Sequence, residues 1–133
     1  HSYKYTAPVK IKAVVDFFGP TDLVDMYNNP ANPLIPLQLI QVTGGTPATA
    51  PTVYSQANPL NYINAQSPPT IILHGGVDIV VSFTQSVLLR NRLQTFGVVN
   101  QYVFYPTENH GWTGPNLVDS FDKITAFLNA NVN

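Results

Sequence analysis

The chain has 133 residues, 44% of them aliphatic or aromatic and 10% charged, with a formal net charge of −1 and no cysteine. That length suits one domain, or part of one, able to bury roughly two-thirds of its unfolded surface. The charge balance argues against a phosphate-tracking nucleic-acid binder. The lack of cysteine excludes a disulfide framework, a thiol nucleophile and a cysteine-ligated zinc site.

The first clear element is predicted over 11–18 (IKAVVDFF), β-branched and aromatic, and short enough for a strand buried on both faces. Lys4, Lys10 and Lys12 precede or enter it and read as its solvated approach. The opening His1-Ser2-Tyr3-Lys4 has none of the features of a signal peptide. Gly19-Pro20-Thr21-Asp22 ends the strand, and Thr21 or Asp22 is placed to cap a short helix running toward Tyr27. Residues 28–69 then change character, with Asn, Pro, Gly, Thr and Ala dominant and one apolar patch over 34–42. A stretch this long without regular pattern suits a lid or pocket-forming segment.

A second strand is predicted over 70–73 (TIIL), followed by His74-Gly75-Gly76. A helix is expected over 82–96. Ser82 and Gln85 fit a capping box, Leu89, Leu93 and Phe96 form the apolar face, and Gly97 is the stop. The third strand covers 101–105 and ends at Pro106. Gly114-Pro115 opens a last helix, whose Leu117, Phe121, Ile124 and Leu128 make one apolar stripe. Strands joined by helical crossovers imply a parallel sheet. Three strands and two clear helices are thin cover for such a sheet, so the pattern reads as an incomplete α/β domain.

Chemistry is expected at the strand ends. Asp78 follows the second strand by a few residues, and His110 does the same after the third. Loops leaving neighbouring parallel strands meet at one sheet edge, where α/β folds bind ligands. A carboxylate there can fix the tautomer of a histidine, which then acts as a general base toward a hydroxyl. Taken singly, Asp78 is an ordinary turn carboxylate and His110 a surface loop histidine; together they form a catalytic candidate. His74 reads as a hydrogen-bonded structural residue, and a metal set of His74, Asp78 and His110 lacks recognisable spacing. Trp112 is placed either to wall a pocket or to cover the last helix.

Three segments together resemble the α/β-hydrolase fold family. Pro68 to Val81 (PPTIILHGGVDIVV) is similar to the acid-bearing segment of its esterases and of prolyl-oligopeptidase-type peptidases. Tyr105-Pro106-Thr107-Glu108-Asn109-His110-Gly111-Trp112 resembles their histidine loop, and Val14 to Leu23 (VVDFFGPTDL) resembles the strand and turn after the nucleophile helix in feruloyl- and acetyl-esterase-like members. The resemblance implies that residues 1–133 are the C-terminal portion of an α/β-hydrolase fold, with a three-stranded parallel sheet and flanking helices. It implies hydrolysis of small carboxylic esters, with Asp78 and His110 as triad acid and base, Trp112 at the substrate and no cofactor or metal. The family's G-x-S-x-G nucleophile motif does not occur in this sequence, and the triad order Ser, Asp, His places the serine upstream of residue 1. Two alternatives stand beside this: a prolyl-oligopeptidase-type peptidase fragment, and a non-catalytic fragment that binds or oligomerises, by dimerisation or domain swap, through an exposed sheet edge. No apolar run reaches the ~20 residues of a membrane span. Low charge with many Asn, Gln and Thr leans toward a secreted or periplasmic protein.

Overall fold

A computed structural model describes residues 10–132; Ser2, Lys4 and the rest of the opening segment lie outside them. Three strands, β1 (Val14–Phe17), β2 (Thr70–Gly75) and β3 (Asn100–Tyr105), form a parallel sheet in the order β1-β2-β3. The register pairs Phe17 with Leu73, Leu73 with Val103 and Gly75 with Tyr105. All three strands therefore end at one edge, and the loops after them meet there.

β2 is buried at every residue, as expected for a central strand of a covered parallel sheet. On one face Ile71, Leu73, Val103 and Tyr105 pack with Trp112, Ile124 and Phe127 of the C-terminal region. On the other, Ile72 packs with Leu89, Leu93 and Val98. β1 departs from expectation. It is half the predicted length, and its Val14 and Val15 are 36% and 37% exposed. Its β-branched composition suits a strand, yet among the described residues nothing pairs with its outer edge, so its buried-on-both-faces reading is corrected to an edge strand.

Asp22 caps α1 (Leu23–Asn28), its Oδ1 accepting from the amides of Val24 and Asp25 at 3.0 Å. The stretch over 28–69 is more regular than its composition suggests. It holds α2 (Ile35–Thr43), α3 (Pro51–Gln56) and a 3₁₀ turn (Pro59–Tyr62). Prolines sit in the first turn of each, where a missing N–H costs nothing. α2 packs on α1 through Met26, Ile35 and Leu39, with Val81 completing the cluster.

The fourth helix, α4 (Thr84–Thr95), begins two residues later than predicted and has no capping box. The Gln85 side chain is fully buried and turned elsewhere. Its Oε1 accepts from the amides of Thr21 and Asp22 at 3.0 and 2.7 Å, and its Nε2 donates to Asp25 Oδ2 at 2.7 Å. Two buried turn amides without partners would each cost about 1–3 kcal/mol, a larger effect than the cap. Leu89 and Leu93 are buried as expected, and Gly97 (φ +67°) ends the helix. In α5 (Pro115–Asn131) the buried residues are Ser120, Ile124 and Phe127, while Phe121 is 56% exposed. The predicted stripe is thus shifted by one residue there, because Ser120 serves as a buried polar partner to Trp112 Nε1 at 2.9 Å and Tyr105 OH at 2.9 Å.

Candidate active site

Asp78 lies in the turn that leaves β2, its side chain wholly buried. Its Oδ1 accepts from the amides of Val80 and Val81, both at 2.8 Å. This closes an Asx-type turn and leaves Oδ2 directed at the loop after β3. There His110 Nδ1 stands 2.9 Å from Oδ2, with the imidazole one-third exposed. In the neutral ring Nδ1 donates to the carboxylate, which leaves Nε2 as the free, basic nitrogen. Carboxylate inside and ring at the surface is the arrangement a general base needs.

Close approach of the two loops depends on glycine. A β-carbon on Gly75 would stand 2.3 Å from the Glu108 carbonyl oxygen and 2.4 Å from that of Asn109. In the bare-backbone geometry Gly76 N donates to Tyr105 O at 2.8 Å and Val77 N to Glu108 O at 3.0 Å. The His74-Gly75-Gly76 sequence therefore serves loop-on-loop packing. After His110, Gly111 takes φ +98°, a conformation glycine adopts without steric cost.

Several residues that frame the site escape sequence reasoning. Asn109 Oδ1 accepts from His110 N at 2.7 Å and from Ile79 N at 3.1 Å, tying the acid and histidine loops together. Phe18, at the end of β1, holds φ +44°, a left-handed conformation costing about 1–2 kcal/mol for a residue with a side chain. Its ring lies 4.5 Å from that of His110 and 5.5 Å from that of Trp112, centroid to centroid. A strained aromatic against the candidate base fits the tendency of such outliers to gather at functional sites. Trp112 itself is only 9% exposed and belongs to the core beneath Phe18.

Asp16 is a further carboxylate near this edge. Its Oδ1 accepts from Gly19 N at 3.2 Å, while Oδ2 is buried without a partner. Burial pushes its pKa up, opposed by the Gly19 hydrogen bond and by His74. The folded chain thus keeps a proton that the unfolded chain releases at lower pH. The stability linked to Asp16 is present in acid and lost as pH rises through its elevated pKa. Asp16→Asn removes this loss, so thermal melts should favour the variant increasingly from acid to neutral pH. A pH-independent difference between the two proteins would count against the assignment.

Among the described residues, no serine hydroxyl is hydrogen-bonded to His110: Ser86 pairs with His74 and Ser120 with Trp112 and Tyr105. No group of three or more His, Cys, Asp or Glu among them is arranged to hold a metal ion, and no helix among them is long and apolar enough to cross a membrane.

Comparison with known proteins identifies the family of the chain. Residues 1–93 match the BD-FAE family, a span that includes Asp78 and stops short of His110. An uncharacterised peptidase of Bacillus subtilis, YtmA, is 31% identical over 70 residues, which cover 53% of this chain and 27% of that protein. Among solved structures, a truncated form of a carbohydrate esterase from gut microbiota superposes with a TM-score of 0.71 at 29% identity, over 88% of this chain and 42% of that one. A puromycin-hydrolysing peptidase of Mycobacterium tuberculosis shares the fold with a TM-score of 0.79 at 24% identity, over 92% of this chain and 19% of that one. This chain spans less than half the length of each of these relatives. It belongs to the BD-FAE family, and its parallel sheet with flanking helices is of the α/β-hydrolase kind.

Proposed function

We propose that this chain provides the acid and the base of a serine hydrolase acting on carboxylic esters, with the nucleophile on residues that precede His1. Asp78 orients His110 and stabilises its imidazolium. His110 Nε2 takes the proton of the serine hydroxyl and later returns it to the leaving alcohol. The observation that carries this reading is the 2.9 Å contact of buried Asp78 Oδ2 with His110 Nδ1 at the C-terminal edge of a parallel sheet. Family membership and likeness to a carbohydrate esterase at 29% identity support an ester, including an ester decoration on a polysaccharide, as the substrate.

The segment over 28–69 is the proposed wall of the substrate pocket. Asn32 Nδ2 donates to Ile79 O in the acid loop at 2.5 Å, and α2 reaches the same loop through Val81. Trp112 takes part as the support of Phe18, whose ring contacts His110. Catalysis by this pair needs no metal or cofactor.

A peptide bond is the rival substrate, favoured by the likeness to the Bacillus subtilis peptidase. A polypeptide comprising this chain and the residues encoded before it is expected to cleave p-nitrophenyl acetate or a feruloyl ester much faster than an aminoacyl p-nitroanilide. The reverse preference would transfer the site to the peptidase reading. Turnover of neither would remove the hydrolase assignment.

A further inference from the structure

The proposed mechanism leaves one buried titratable ring unused. His74, the penultimate residue of β2, is fully buried. Its Nδ1 lies 2.6 Å from Ser86 Oγ on α4, and its Nε2 lies 2.8 Å from Val81 O and 3.2 Å from Asp78 Oδ2. A carbonyl oxygen only accepts, so Nε2 must carry the hydrogen. In the neutral ring Nδ1 is then bare, and the Ser86 hydroxyl donates to it. One tautomer alone satisfies every group in contact with this ring.

The consequences reach the candidate acid. Val81 is held at both its backbone groups, the carbonyl by His74 and the amide by Asp78 Oδ1. The turn over 78–81 is therefore closed against the end of β2 by an internal side chain rather than by solvent. The same Nε2 also lies 3.2 Å from the oxygen that His110 uses. Asp78 Oδ2 thus sits between two imidazoles, one buried at 3.2 Å and one at the surface at 2.9 Å. We infer that His74 is a positioning residue, which fixes the 78–81 turn and presents Asp78 Oδ2 to His110, while the Val81 carbonyl sets the tautomer of His74 and the Ser86 hydroxyl donates to its bare Nδ1. The inference rests on the reading of Asp78 and His110 as acid and base.

A ring that merely filled space under β2 would be replaceable by any side chain of similar volume. A positioning ring is replaceable only by a side chain that returns the donor. His74→Gln can place an amide N–H near the old Nε2 position, whereas His74→Met fills the space without a donor. The test is nitrogen-15 NMR of the histidine rings in this chain, which contains three histidines, at a pH where His110 is neutral. In the parent and in His74→Gln, His110 is expected to hold its hydrogen on Nδ1. In His74→Met that preference collapses to a mixture of tautomers. Retention of the full Nδ1–H preference in His74→Met would overturn the inference. Should that variant not fold, the His74 ring of the parent carries the test in the same spectrum: hydrogen on Nε2 supports the inference, and hydrogen on Nδ1, which would leave the Val81 carbonyl and Asp78 Oδ2 facing a bare nitrogen, overturns it. Mixed tautomers already in the parent would instead strike the Asp78–His110 reading, and the inference would fall with it. In an active polypeptide that includes the nucleophile, His74→Met should lower kcat by about 10–100-fold with KM little changed, the usual scale for losing a partner that orients a functional group. His74→Gln should recover most of that loss.

Discussion

Asp78→Asn is expected to lower ester turnover by about 10⁴-fold, in a polypeptide that carries the nucleophile, while leaving the fold in place. The reason lies in how the two oxygens are used. Oδ1 accepts from two amides, those of Val80 and Val81, so in the variant the amide oxygen must take that position. The amide nitrogen then faces His110 Nδ1. Two donors cannot face each other, and His110 moves its hydrogen to Nε2. That nitrogen is the one meant to receive the serine proton, and it is now blocked. His110→Ala, which removes the base itself, should cost at least as much, with the residual rate set by binding and oxyanion stabilisation. Steady-state kinetics with p-nitrophenyl acetate check both variants. Turnover within about tenfold of the parent for either one would take the Asp78–His110 pair out of the reaction.

Gly75→Ala is expected to be the most damaging small change to the fold. The new methyl would stand 2.3 and 2.4 Å from two carbonyl oxygens of the histidine loop, well inside van der Waals contact. Neither oxygen belongs to a flexible side chain, so the loop has to move as a unit. Moving it breaks the hydrogen bonds that cross between the loops, from Val77 N to Glu108 O and from Ile79 N to Asn109 Oδ1. Overpacking of this kind costs typically 1–3 kcal/mol, and the lost hydrogen bonds add about 1 kcal/mol each. A fall in Tm of roughly 10 °C follows for a domain of this size. Thermal unfolding by circular dichroism provides the measurement, and a Tm within about 1 °C of the parent would show that the two loops are not wedged together as described.

The parts legible in the sequence are those where local pattern and tertiary demand agree. β2 and β3 are short β-branched or aromatic runs bounded by proline or glycine, and both are present within two residues of the expected limits. The Asp78–His110 contact follows from topology alone, since parallel neighbours of equal register end at one edge. Misreadings arise where a distant partner outweighs the local signal. Gln85 leaves the capping box because the Thr21 and Asp22 amides need an acceptor. Ser120 is buried and Phe121 exposed because Trp112 and Tyr105 require a polar partner inside the core. β1 is apolar on both faces yet half-open, since burial depends on what lies beside a strand as well as on its own residues. Phe18 and Asn109 were not recoverable in advance, because their roles exist only through contacts between separate loops.

The central claim is that His110 activates a serine lying outside residues 1–133. Its most direct test is labelling with a fluorophosphonate, which reacts with activated serines, on a polypeptide that joins this chain to the residues encoded before it. The account predicts one label, mapped by mass spectrometry to the serine of an upstream G-x-S-x-G, and loss of that label in His110→Ala. Labelling of that serine at an unchanged rate without His110, or no labelled serine upstream of residue 1, would contradict it.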